Sequence, residues 1–481
     1  MKKKIQYLVL IMAVLVTSCE LPDNIDPKNP KVVSADVELT NTEIALANLI
    51  GNISVNVNTT RLLTQYQSEV TYVTESRYNF QDRQIPDTYS GTLYRGVLEV
   101  IKDFTATLNA TVAAGDVLVN EKKNKLAIGE ILSVYSYHVL VDAFGDVPYS
   151  EALQGAANSR PKYDDAYTIY KDLLVRLTAA IGNLDENYGS FGDADIYYGG
   201  DVALWKKFAA SLKLRIALRL VDVSGFDANT AVTEALAAGV FTDQSESAIL
   251  KYLGIPPNVN SYYTEYVLNA RKDYCPTQTL VNMMNTLSDP RRPVWFTTYG
   301  GAYVGLPYGR TGASSYSKYS HFSPMMRLDG TYPVIICDYV EVEFLLAEAA
   351  ERGLGGVTNA ETHYNNAILA SMAYWGVADA DAAAYLAQPA VAYSTATGTY
   401  KQKIGTQKWL GLFDRGVESW AEWRRLDYPI LNPPAGMTYA DIPVRMPYPY
   451  NENKMNQANY NAAAAAIGGD AATTKLFWDK Y

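Results

Sequence analysis

Apolar residues recur at steps of three and four in block after block of this sequence, and few stretches alternate as strands do. A helix is the conformation that brings such positions onto one face, so the chain is predicted to be mainly α. Between Asp164 and Ile181, the residues Tyr170, Leu173, Leu174, Leu177 and Ile181 share one stripe. In the next block Leu204, Phe208, Leu212, Ile216 and Leu220 form another, with Lys206, Lys213 and Arg219 expected to face away from it. Each stripe needs a neighbouring helix to cover it.

Asp338 and Glu341 have the spacing of a capping box, an acid accepting from the first-turn amides and a glutamate reaching back, ahead of Tyr339, Val342, Leu346 and Ala349. Gly353 is the expected stop. Thr358 and Glu361 repeat the device before Ala360, Tyr364, Ala367, Ile368 and Ser371, and Gly376 is the second stop. Residues 338–376 therefore read as a helical hairpin, the unit of a tetratricopeptide-like array in which each pair buries its open face on the next. No clean 34-residue repeat is visible, so such an array must be degenerate and interrupted. Stacked pairs need no linker, and a single domain is expected over residues 40–481.

The first residues have a different character. Lys2, Lys3 and Lys4 precede an apolar run from Ile5 to Val16, then Thr17, Ser18 and Cys19. The run is shorter than the roughly 20 residues that span a bilayer, and its layout is that of a lipoprotein signal peptide over residues 1–18, cleaved so that Cys19 is lipidated. Residues 20–38 hold three prolines and several acids without an apolar period, so 19–39 reads as a lipidated start and a flexible tether.

Removing Lys2, Lys3 and Lys4 with that segment leaves 38 Lys and Arg against 51 acids, a net charge of −13. Binding to nucleic acid depends on many cationic contacts to phosphate, so no nucleic-acid partner is expected. The membrane contact falls to the lipid on Cys19. Beyond it there are two cysteines, Cys275 and Cys337, which read as buried thiols. His138, His321 and His363 are scattered and no CxxC or HExxH occurs, so neither a metal site nor a cofactor is expected.

Several segments follow one another in a fixed order, among them FGDVPYSEAL (Phe144 to Leu153), WKKFAASLKLRIALR (Trp205 to Arg219), EVEFLLAEAAERG (Glu341 to Gly353) and QKWLGLFDRGVESWAEWRRLDYP (Gln407 to Pro429). The RxxYPxxE stretch of Arg445, Tyr448, Pro449 and Glu452 closes the series. In these segments and their order the chain resembles the SusD/RagB family of nutrient-binding outer-membrane lipoproteins. The resemblance implies four tetratricopeptide-like helix pairs with irregular excursions that build the ligand site, a TonB-dependent SusC-like transporter as partner, an oligosaccharide or oligopeptide ligand, and no catalysis. The motif residues also have a packing role: Trp205, Trp409, Trp420 and Trp423 lie in helical stripes, and Arg424 and Arg425 sit where a helix's last carbonyls and nearby acids would hold them.

Sugar rings are bound by flat aromatic faces together with amides, acids and guanidinium groups. Between Trp295 and Phe322 there are eight aromatics in 28 residues, where the 12% average predicts three or four, interleaved with five glycines that prevent a regular helix. Trp295, Tyr299, Tyr303, Tyr308, Tyr316 and Tyr319 are the candidate contacts there. The resemblance implies an earlier excursion too, here Tyr72 to Tyr89, with Arg77, Tyr78, Asn79 and Phe80 as candidates. Two other functions compete. A glycoside hydrolase would need two placed carboxylates, and pairs such as Asp142 with Asp146, or Asp164 with Asp165, are explained by turn chemistry at a helix exit or by chance among 51 acids. A peptide-binding scaffold would use the array itself.

Overall fold

The computed structural model describes residues 33–481, of which Ala35–Tyr481 form one compact, mainly helical unit. The signal-peptide and lipidation readings, and the tether up to residue 32, lie outside the described residues. Helix α1 (Ala35–Ile50) begins ahead of the start expected near residue 40, because Leu39, Leu46 and Leu49 extend its buried stripe backwards to Ala35. After α2 (Glu99–Ala110) come four antiparallel pairs: α3 (Asp116–Phe144) with α4 (Ala166–Asn183), α5 (Val202–Arg219) with α6 (Ala228–Ala238), α7 (Tyr339–Glu351) with α8 (Ala360–Tyr374), and α9 (Tyr400–Gly411) with α10 (Gly416–Leu426). This is the degenerate array that the periodicity predicted. Between α6 and α7 lies a long excursion of short helices and three-residue to four-residue strands.

The local signals act largely as read. Asp165 caps α4 by accepting from the Thr168 amide at 2.8 Å, and Tyr170, Leu173 and Leu177 are buried beneath it. Gly353 and Gly376 take φ of 65° and 69°, and the residue after each donates back to Ala349 and Met372, which satisfies carbonyls that the helix end leaves free. The two capping boxes are corrected. Asp338 does accept from the Glu341 amide at 2.9 Å, but the Glu341 carboxylate turns inward to Arg215 instead of reaching back. Helix α8 starts after Asn359, at φ 62°, without a side-chain cap.

Helix α5 departs furthest from expectation. One stripe was predicted to be buried, yet from Phe208 onward every side chain is inside, Lys213 and Arg219 included. Lys213 is held by Glu234 of α6, and the arginines enter a seam of charge to which all four pairs contribute. Arg215 holds Glu341 through two bonds of 2.6 and 2.7 Å. Arg219 meets Asp142 of α3 at 3.2 Å and both Glu418 and Glu422 of α10, while Arg425 joins Glu422 to Glu348 of α7 and Lys408 of α9 completes the chain. Asp142 therefore owes its place to Arg219 and not to a turn. Burying charges costs several kcal/mol each, and only such mutual pairing offsets it.

The expected tryptophans and arginines pack as scaffold. Trp205, Trp409, Trp420 and Trp423 are all buried, and Arg424 donates to the Trp420, Asp142 and Val444 carbonyls. Arg445 donates to the Phe144 carbonyl and to Asp470, and Glu452 accepts from Tyr163, so the late motif clasps the early FGDVPYSEAL turn. Cys275 and Cys337 are free, buried thiols whose pKa values burial pushes up.

Candidate ligand-binding site

The early and central excursions, more than 200 residues apart in sequence, meet. Strand Gln67–Glu69 pairs antiparallel with Tyr274–Pro276, which brings the bases of both together. Above the strands the Arg77 guanidinium donates to the carbonyls of Gly309, at 2.8 Å, and Ala435, at 3.1 Å. The rings of Tyr78 and Tyr308 lie 6.2 Å apart, and burial holds both phenols well above their usual range, so they remain neutral hydroxyls. Tyr78 adopts a left-handed φ of 68°, a strained choice for a non-glycine residue that the surrounding contacts must hold. Gly309 is required where it stands: a Cβ there would lie 2.4 Å from Pro434.

The other candidates take distinct places. Trp295 is wholly buried and stacks on Phe413 at 3.9 Å, beneath the loop, and Phe80 is also in the core. Tyr299 is 45% exposed beside a Gly300–Gly301 turn in which it exchanges backbone bonds with Ala302. Both glycines have positive φ, the geometry that a two-residue hairpin demands. Tyr303 lies under the Arg292 guanidinium at 5.4 Å. Tyr316 stacks on His321 at 3.8 Å and Tyr319 bonds Ser314 at 3.0 Å, both tying the loop to itself. Asn79 accepts from the amides of Gln81 and Asp82, which makes it a turn former.

Two parts were missed in the sequence. Tyr72, 58% exposed, is flanked by Arg83 at 6.0 Å and Arg271 at 5.8 Å, which hold its ring as a rigid face. The second is Ile430–Ala435, whose Asn432-Pro433-Pro434 run signalled a loop but not its location. Gln65 bonds the Asn432 backbone and Thr279, and so fastens this segment to the short helix Gln278–Thr286. Between them opens a groove of about 800 Å³ whose lining includes Asn282, Thr286, Tyr308, Thr406, Ile430 and Asn432 and contains no charged residue, histidine or cysteine. A volume of this size suits a ligand of several rings.

Carboxylates lie elsewhere. Asp164 accepts from Ser150, Asp165 caps α4 and Asp146 accepts from the Ala166 amide. Among the described residues His138, Asp142 and Glu418 form a cluster of metal-ligand type, but His138 bonds Tyr170 at 2.9 Å, and Arg215 and Arg219 already balance the two acids. Burial lowers the His138 pKa to about 4.

A SusD-like family model, described as starch-binding and associating with the outer membrane, matches residues 27–449. The chain belongs to the SusD-like family. A chitin-binding protein of known structure is 26% identical, with a TM-score of 0.79, over 93% of this chain and all of the other. A SusD homolog from Bacteroides uniformis is 25% identical at a TM-score of 0.77, covering 92% and 99%. A chitin-binding SusD homolog from Flavobacterium johnsoniae shares the fold at 24% identity and a TM-score of 0.76, covering 91% and 98%. No curated protein matches the sequence. The SusD-like fold and its helical array thus stand as the motifs implied.

Proposed function

We propose that this SusD-like protein is a surface-exposed, lipid-anchored receptor of the outer membrane that captures an oligosaccharide and passes it to a TonB-dependent, SusC-like transporter. The observation that carries the reading is a groove without charged side chains, lined by Tyr308 of the central excursion, to which Arg77 ties the early excursion through the Gly309 and Ala435 carbonyls. Such a lining offers apolar faces, amides and hydroxyls for binding, and no acid, base or nucleophile for catalysis. The names of two structural relatives, which describe chitin-binding proteins, support a glycan as cargo. Membership of a family described by its outer-membrane association supports the location, and Cys19 supplies the anchor.

Calorimetric titration with a panel of neutral oligosaccharides and oligopeptides tests the cargo, and co-purification from solubilised outer membranes tests the partner. Saturable oligosaccharide binding, lost in Tyr308→Ala, and a co-purifying β-barrel are expected. Peptide binding in its place would make the protein an oligopeptide receptor.

A further inference from the structure

The groove does not end at the platform. Leu287 and Thr406, at its far side, also line a second hollow of about 400 Å³ that continues to Pro389 and the Thr395–Thr397 loop. The two hollows therefore adjoin, in line from Tyr308 along the short helix Gln278–Thr286 and past Thr406 onto the surface between α8 and α9, and are taken together as one track. Along that helix Gln278, Asn282 and Thr286 follow at steps of four, so they occupy one face over about 12 Å, and all three are exposed. Their side chains make no hydrogen bond among the described residues, whereas neighbouring Thr279 and Asn432 are tied to each other.

Charge is sparse along this track. The first hollow has 13 lining residues and none is charged, where the 19% of the composition would place two or three. In the second, Lys403 is the one charged residue, and its ammonium donates to the Tyr393 carbonyl at 2.8 Å. A cationic group entering such a track would shed water without meeting an acid in the lining of either hollow, which costs far more than exchanging hydroxyls for amides.

Resting on the oligosaccharide reading above, we infer that the track is an extended subsite array for an uncharged glycan chain of several units, which discriminates against free-amino, cationic chains. The residues that set this are Gln278, Asn282 and Thr286 on the platform side and Thr406 and Thr397 on the far side.

The test is calorimetry with neutral N-acetylglucosamine, cellulose and starch oligomers from dimer to hexamer, and with the fully deacetylated, cationic glucosamine hexamer. For at least one neutral series the hexamer should bind about tenfold or more tighter than the dimer, and the cationic hexamer at least about tenfold weaker than its neutral parent. Thr397→Glu, an exposed change, should weaken the hexamer about fivefold or more while leaving the dimer unchanged, and Asn282→Asp should weaken both. Melting curves equal to wild type establish that each variant is folded. Affinity independent of length, an unaltered hexamer affinity in Thr397→Glu, or equal binding of the cationic hexamer would overturn the track while the receptor reading stands. Failure of every oligosaccharide to bind would overturn the oligosaccharide reading on which the track rests.

Discussion

Arg219 Nη2 lies 2.7 Å from Glu418 Oε1, with both side chains buried and 199 positions between them in sequence. This bond joins the second helix pair to the fourth, and it is one link of the charge seam through all four. Arg219→Met should therefore leave Asp142, Glu418 and Glu422 short of a counter-charge and cost about 3–5 kcal/mol, because a stranded buried charge outweighs the lost attraction. Denaturant unfolding monitored by tryptophan fluorescence measures this, and a loss below about 1 kcal/mol would mean that the neighbouring cations compensate.

The aromatic candidates separate by burial. Trp295→Ala removes a fully buried ring stacked on Phe413 and should cost about 3–5 kcal/mol of stability. Tyr299→Ala, at an exposed hairpin turn, should leave the melting temperature unchanged and reduce oligosaccharide binding by about 1 kcal/mol. A melting shift in Tyr299→Ala at unchanged affinity would make that ring structural.

Arg77→Ala should release the early excursion from Gly309 and Ala435. Charge-assisted hydrogen bonds contribute about 1.5–3 kcal/mol each when shielded and less at a half-exposed site, so the loss is felt in loop order more than in global stability. Limited proteolysis should cut the variant within residues 70–83 faster than wild type, and glycan affinity should fall with it.

Glu69 gives a pH signature. Burial, then the neighbouring Glu75 and, less strongly, Asp273, push its carboxyl up to about 9, while bonds from Ser76 oppose the shift. The folded chain thus holds a proton there that the unfolded chain releases above about 4.5. Its contribution to stability is complete below that pH and is lost as the pH rises through about 9. Glu69→Gln, neutral at every pH, should gain stability relative to wild type progressively from pH 5 to 9, as followed by thermal melts in buffers across that range. A constant difference would show that Glu69 is ionised throughout. His138 acts in the opposite sense: held neutral by burial, with a pKa of about 4, it gives stability that is present above about 6.5 and lost as the pH falls towards 4.

Cys19→Ser should abolish metabolic labelling by fatty acid and release the protein from the membrane fraction. Label retained in the variant would place the anchor on another residue.

Much of the scaffold was legible because helices announce themselves locally. The stripe through Tyr170, Leu173 and Leu177, the cap at Asp165 and the stops at Gly353 and Gly376 each depend on residues within a few positions of one another. The excess of aromatics and glycines from Trp295 to Phe322 likewise marked an irregular excursion. That Arg77 would reach Gly309, or Arg271 the ring of Tyr72, had no local signal, since each contact closes a long loop.

The sequence by itself determined a mainly helical chain of paired helices and the segments that leave the array. Tertiary structure alone decided that α5 is buried on nearly every side, because Arg215 and Arg219 can enter the core only where distant acids meet them. It alone decided the groove as well. A concavity belongs to no single segment, and the uncharged character of this one arises where helix Gln278–Thr286, Thr406 and the Ile430–Ala435 loop are brought side by side. Periodicity reports which face a residue shares with its near neighbours, while the cost of burying a charge or leaving a polar row open depends on what the fold sets opposite it.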